Sequence, residues 1–185
     1  MSSTITSNTN DVGTLPKLAT VWLDGCSGCH MSLLDMDHRL LTLLEKVNLV
    51  YSPLVDQKHF PDDVDITLVE GAISSEADLE KILMVRERTK ILVSLGDCAV
   101  TANVPSLRNP LGVNAILERV SDGALPKQPD TVPLLCAHAR PVHTVVKVDL
   151  FVPGCPPSAD TIHLVLTELL AGRTPDLHAI TRFGL

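Results

Sequence analysis

The residues of this chain best suited to chemistry are its five cysteines. Two of them form Cys26-Ser27-Gly28-Cys29, set between a short apolar run and a helix-like pattern in WLDGCSGCHMSLLDMDHRLL (22–41). A strand, a CxxC and a helix in that order suit a thioredoxin-type thiol pair. They suit equally well the first half of a metal or iron–sulfur site. Two thiols do not decide between these. The decision rests on where Cys98, Cys136 and Cys155 fall relative to the elements that carry them.

Five segments have the short aliphatic character of strands: 18–23, 47–55, 65–73, 90–96 and 144–152. Near-continuous apolar runs such as Ile91-Leu92-Val93 fit strands covered on both faces. Helical patterns lie between them. Leucines and Met36 recur at three-to-four spacing from Leu33 to Leu44, and 74–89 opens with serine and acid and closes with base. The stretch 156–172 starts at proline and stops at Gly172. This alternation predicts an α/β fold with a doubly wound, mostly parallel sheet. Residues 1–16 are expected to be a flexible arm, and 17–185 one domain. Within it, 101–133 forms an irregular, proline-rich insertion with one short helix over 112–120.

Composition limits the partners. Hydrophobic residues make up 45% of the chain but aromatics only 3%, so the core is aliphatic and base-stacking platforms are not expected. A net charge of −7 argues against nucleic acid. No apolar stretch approaches the roughly 20 residues of a membrane span. The Ser/Thr/Asn-rich start has no basic residue before Lys17 and no twin arginine, so a cytoplasmic location is expected. Structural disulfides are rare in that compartment, which leaves the cysteines as ligands, catalytic thiols or buried hydrophobes.

On this map Cys26 and Cys29 follow the first strand, Cys98 follows the strand ending near Leu95, and Cys155 follows the last. Carboxyl ends of parallel strands share one edge, so four thiols distant in sequence converge there. Cys136 precedes a strand and is expected elsewhere. Four thiolates can hold zinc or a [4Fe–4S] cubane. Zinc usually takes two close pairs on small loops, whereas a cubane suits ligands from separate loops. Gly25, Gly28, Gly96 and Gly154 allow close backbone approach, and Pro156 and Pro157 stiffen the turn after Cys155. These surroundings favour the cubane over zinc and over a redox disulfide.

The segments DGCSGCH, VEGAIS, LVSLGDCA and RPVHTVVKVDLFVPGCPPSAD resemble the small subunit of [NiFe] hydrogenases, in the short form of cytoplasmic NAD-reducing enzymes. The resemblance spans roughly residues 18–172. It implies a flavodoxin-like fold and a single [4Fe–4S] cluster on Cys26, Cys29, Cys98 and Cys155, with no catalytic residue on this chain. It also implies two partners: a large subunit carrying the nickel–iron site, and a flavin- and iron–sulfur-containing NADH-oxidoreductase module. The overall reaction would be H2 + NAD+ = NADH + H+. The related quinone-reductase subunit of respiratory complex I carries adjacent cysteines in place of Cys26-x-x-Cys29. Longer hydrogenase small subunits continue into a domain with two further clusters, for which this chain has no cysteines left. Some short relatives hold flavin mononucleotide here, but Cys26 and Cys29 occupy the loop that would bind its phosphate. Two other readings are the small subunit of a membrane-anchored energy-converting hydrogenase and a zinc-stabilised interaction module.

Among the remaining candidates, Glu70 should face the site edge, most simply as a carboxylate bonded to loop amides and otherwise as a proton carrier. His30 could donate to sulfur. Trp22 reads as core and Asp97 as a turn residue.

Overall fold

The structure is a computed structural model that describes residues 14–121, 132–178 and 180–181. Its centre is a five-stranded parallel sheet of β1 (Lys17–Trp22), β2 (Asn48–Tyr51), β3 (Val64–Glu70), β5 (Thr89–Leu95) and β7 (Leu150–Val152). A separate antiparallel pair joins β4 (Ile73–Ser75) to β6 (Leu135–Arg140). The main sheet runs β2-β1-β3-β5-β7. Counting only its own strands, that is the 2-1-3-4-5 order of flavodoxin-like sheets. The helices are α1 (Gly28–Leu34), α2 (His38–Leu44), α3 (Glu76–Glu87), α4 (Gly96–Thr101), α5 (Val113–Val120) and α6 (Ala159–Leu170).

Side-chain alternation along the buried strands divides the core in two. Leu18, Leu68 and Val93 pack with Leu33, Met36, Leu43, Ile162 and Leu166 of the α1, α2 and α6 layer. Their neighbours Ala19, Val69 and Leu92 pack on the opposite face with Ile82 and Val85 of α3 and with Val142 and Val146. Because β1, β3 and β5 are covered on both faces, they are aliphatic nearly throughout. Burying each large aliphatic side chain contributes about 2 kcal/mol.

The predicted strands at 18–23, 47–55, 65–73 and 90–96 correspond to β1, β2, β3 and β5, with β2 shorter than expected. The last one is corrected more strongly. Only Leu150–Val152 of 144–152 pairs, and a 3-10 turn occupies Val142–Thr144. The apolar residues upstream pack against the sheet instead of joining it, which gives them the same composition as a strand. The predicted helix from Leu33 to Leu44 is two helices. Asp37, at φ 52°, breaks the hydrogen-bonded turn, while Met36 stays 1% exposed in the core. Of the expected insertion, 101–121 and 132–133 are described and 122–131 lie outside the described residues. Of the expected arm, 1–13 lie outside them too, and Pro16 accepts a hydrogen bond from Asn48 N at 2.9 Å.

Helix α3 starts as its sequence predicts. Ser75 Oγ accepts from Asp78 N at 3.1 Å, and the Asp78 carboxylate accepts from Ser75 N at 3.0 Å. This reciprocal cap satisfies two amides that the helix leaves open. Ser75→Ala removes it and should cost about 1 kcal/mol, read as a lower urea midpoint with an unchanged denaturant slope.

Candidate functional site

Four chain exits at the carboxyl edge of the sheet build the site. The first is the turn after β1. Leu23 N donates to Glu70 O at 2.9 Å, and Asp24 and Ala72 exchange two hydrogen bonds of 3.1 and 2.7 Å. The loop that carries Cys26 is thereby stitched to the exit of β3. Gly71, at φ 92°, makes this contact possible, since a Cβ there would lie 2.8 Å from Asp24 O. Ser27 takes a left-handed conformation, and α1 begins between the two cysteines.

β5 continues directly into α4, a helix not expected from the sequence, and Cys98 lies in its first turn. Gly96, at φ 81°, is fixed by steric demand, because a Cβ there would collide with Cys29 Sγ. The last exit, after β7, carries Gly154 and Cys155. Cys26, Cys29, Cys98 and Cys155 line one cavity together with Glu70 and Asp97. Cys29 is buried, Cys98 is intermediate, and Cys26 and Cys155 are exposed. Cys136 is not part of this lining. It sits within β6 instead of preceding a strand, and its carbonyl accepts from Arg108 Nη2 at 3.0 Å.

Among the described residues, no three His, Cys, Asp or Glu side chains close on a single point as ligands of one ion. The four thiols share one cavity. Burial pushes the Cys29 thiol well above its ordinary value, and the Glu70 carboxylate and the other three thiols push it the same way. Burial also raises Cys98, against a hydrogen bond from the Val104 backbone that favours its thiolate. Charge on the buried Cys29 is opposed by its surroundings, so the site would suit a cationic metal, iron or zinc, that deprotonates its ligands.

Glu70 is 2% exposed and His30 is 4% exposed. Glu70 Oε2 accepts from His30 N at 3.0 Å and makes a very short contact with His30 Nδ1. His30 Nε2 meets Thr20 Oγ1 at 3.0 Å, and Thr20 Oγ1 donates to Ser52 Oγ at 2.8 Å. The amide-bonded role expected of Glu70 is therefore present, with an imidazole added. His30 pairs with oxygen groups and is not a sulfur donor. Trp22 is also corrected: it is 44% exposed, and its Nε1 donates to Gly25 O at 3.2 Å. Asp97 is more than a turn residue, since it is 4% exposed and its carboxylate accepts from Gly154 N at 2.7 Å. No local sequence signal marks that bond. The nearest hint is an acidic residue beside a cysteine at a strand exit.

Asn103 Nδ2 donates to Cys155 Sγ at 3.7 Å. Together with the Val104 amide, it gives the Cys98–Cys155 side of the cavity two N–H groups directed at sulfur.

Glu70→Ala should strand the buried His30 amide, at a cost of about 1–3 kcal/mol. The measurement is the urea midpoint, and an unchanged midpoint would remove Glu70 as the anchor of the Cys26–Cys29 loop.

The family model described as NADH ubiquinone oxidoreductase, 20 Kd subunit, matches residues 26–169. The delta subunit of NAD-reducing hydrogenase HoxS from Cupriavidus necator is 43% identical over 171 residues, covering 87% of this chain and 81% of that subunit. The vhu F420-non-reducing hydrogenase of Methanocaldococcus jannaschii has a subunit 36% identical over 169 residues, 87% of this chain but 58% of its own length. A chain of NAD+-reducing [NiFe]-hydrogenase, solved in the H2-reduced state, superimposes with a TM-score of 0.86 at 38% identity. The match covers 91% of this chain and 99% of that one. A [NiFeSe] hydrogenase chain from Desulfovibrio vulgaris Hildenborough, at 16% identity and a TM-score of 0.56, shares the fold.

Proposed function

The chain belongs to the NADH ubiquinone oxidoreductase 20 Kd subunit family, and we propose that it is the electron-transfer small subunit of a NAD-reducing [NiFe] hydrogenase. In this reading Cys26, Cys29, Cys98 and Cys155 hold one [4Fe–4S] cluster. The observation that carries it is the gathering of four thiols from three separate chain exits around one cavity. A cubane, with one iron for each thiolate, suits ligands arriving from separate loops better than a single zinc, which usually takes two close pairs on small loops. The spacing Cys26-x-x-Cys29 also fits the hydrogenase relatives better than the quinone-reductase branch, which carries adjacent cysteines.

Such a cluster supplies one-electron storage between the nickel–iron site of a large subunit and a flavin- and iron–sulfur-containing NADH-oxidoreductase module. This chain's own residues hold and tune it. The four thiolates bind, Asn103 and the Val104 amide place positive N–H dipoles at two sulfurs, and Glu70 fixes the Cys26–Cys29 loop through His30. Groups of this kind set cluster potentials. Flavin on this chain is not part of the reading, because Cys26 and Cys29 occupy the loop a flavin phosphate would need. Among the described residues no helix is long and apolar enough to cross a membrane.

Cys98→Ser tests the relay. Its hydroxyl stays protonated near neutral pH and is a far poorer iron ligand than a thiolate. In the assembled complex H2-driven NAD+ reduction should collapse, while hydrogen–deuterium exchange at the nickel–iron site, which needs no electron exit, should persist. Undiminished NAD+ reduction in an assembled, cluster-free complex would falsify the relay. Cys136→Ser should leave iron content unchanged. A loss of about one iron or more per chain would move the cluster away from the proposed thiols.

A further inference from the structure

We infer that Asp97 is a positioning residue whose buried carboxylate clasps the Cys155 loop to the start of α4, locking Cys98 and Cys155 into one rigid half of the site. The inference rests on the reading that these cysteines hold a cluster.

The pairing of β5 with β7 has only three registered positions and ends at Leu95 opposite Val152. Among the described residues β7 is the outer strand of the sheet, with no further strand flanking its exit. Past that point β5 turns into α4, and its backbone no longer offers carbonyls to the neighbouring chain. Asp97 supplies both missing bonds. Its N–H donates to Gly154 O at 2.8 Å, and its Oδ1 accepts from Gly154 N at 2.7 Å. The side-chain oxygen takes the place of the next ladder carbonyl. Each end of this two-bond clasp is one residue before a cysteine, Asp97 before Cys98 and Gly154 before Cys155.

The backbone on both sides accepts no other arrangement easily. Gly154 has φ 141°, and a Cβ there would lie 2.6 Å from Pro157 Cα. Gly96 admits no side chain because Cys29 Sγ fills the space. Pro157 O accepts from Ser32 Oγ of α1, which ties the same loop back toward the Cys26–Cys29 side. The Cys155 side chain is itself exposed. Its sulfur is therefore held in place by the loop backbone and the Asn103 contact and is not buried by packing. A ligand in that position depends on the clasp more than Cys29, which is buried. A buried carboxylate accepting an amide N–H also gives a stronger bond than a neutral acceptor.

The clasp first requires an acceptor oxygen at this reach, and the charge strengthens the bond it makes. Asp97→Asn keeps an oxygen at the same reach. Asp97→Glu keeps the charge but moves the oxygen by one methylene, and Asp97→Ala removes the acceptor. Each variant is purified as the complex with its co-purifying subunits, and two rates are measured: iron loss to an added chelator and exchange of the Gly154 amide. The Asn variant should stay closer to the wild type than to Ala in both. The Ala and Glu variants should lose iron about tenfold faster, the scale of one buried hydrogen bond, and their Gly154 amide should exchange faster by a similar factor. Wild-type rates in Ala and Glu overturn the inference, and so does an Asn variant that loses iron as fast as Ala. If Ala does not assemble, the contrast between Asn and Glu decides. A wild-type complex with no [4Fe–4S] signal overturns the cluster reading instead, and Gly154 exchange then still tests the clasp.

Discussion

Parallel pairing of β1, β3, β5 and β7 sends every chain exit to the same edge of the sheet, since a parallel neighbour can be reached only by a crossover from the far end. All else at the site follows from this constraint. Cys26, Glu70, Cys98 and Cys155 are separated by long stretches of chain, yet each lies within a few residues of the end of its strand. Register then sets their depth. Trp22 pairs with Glu70, Glu70 with Leu95 and Leu95 with Val152, so the four exits leave the sheet at one level.

Bringing these groups together has an electrostatic cost. The site gathers four potential thiolates and two carboxylates in a chain that is already acidic overall. Burial resists charge on Cys29 first, and Glu70 and the other thiols add to that resistance. Compensation comes from polar groups that the fold directs inward: the His30 pair on Glu70, the Gly154 amide on Asp97 and the N–H groups at Cys98 and Cys155. Each carboxylate bonds one cysteine-bearing loop, Glu70 that of Cys26 and Cys29, Asp97 that of Cys155. The site is thus two clasped halves that meet where Cys29 Sγ fills the space above Gly96.

The apolar core supports this arrangement and reaches it through Cys29. The two aliphatic layers fix the strands, and the α1, α2 and α6 layer places Leu33 and Ile162 in one cluster with Cys29. Exposed apolar side chains lie on the elements around the site, among them Trp22, Met31, Val104 and Leu107. A surface of this kind is what the interfaces of obligate complexes bury.

Much of this was legible in the sequence because it depends on local pattern. Aliphatic runs gave β1, β3 and β5, the Ser75–Asp78 cap gave the start of α3, and the placement of Cys26, Cys29, Cys98 and Cys155 after strands gave the shared cavity. The errors came where one pattern fits two structures. An aliphatic stretch reads alike whether it pairs in a sheet or packs against it, as at 144–149, and leucine spacing does not reveal the positive-φ break at Asp37. β4 and α4 carry too few residues to show a period, and β6, though as long as β1, lacks an aliphatic run. Residue order alone therefore specified which groups could form a metal centre and which edge of the sheet they would share. Packing in three dimensions was needed to assign His30 to Glu70, 40 residues away, and Asp97 to Gly154, 57 residues away. Such hydrogen bonds depend on which strands pair and in what register, since a slip of one residue would turn these side chains to the other face.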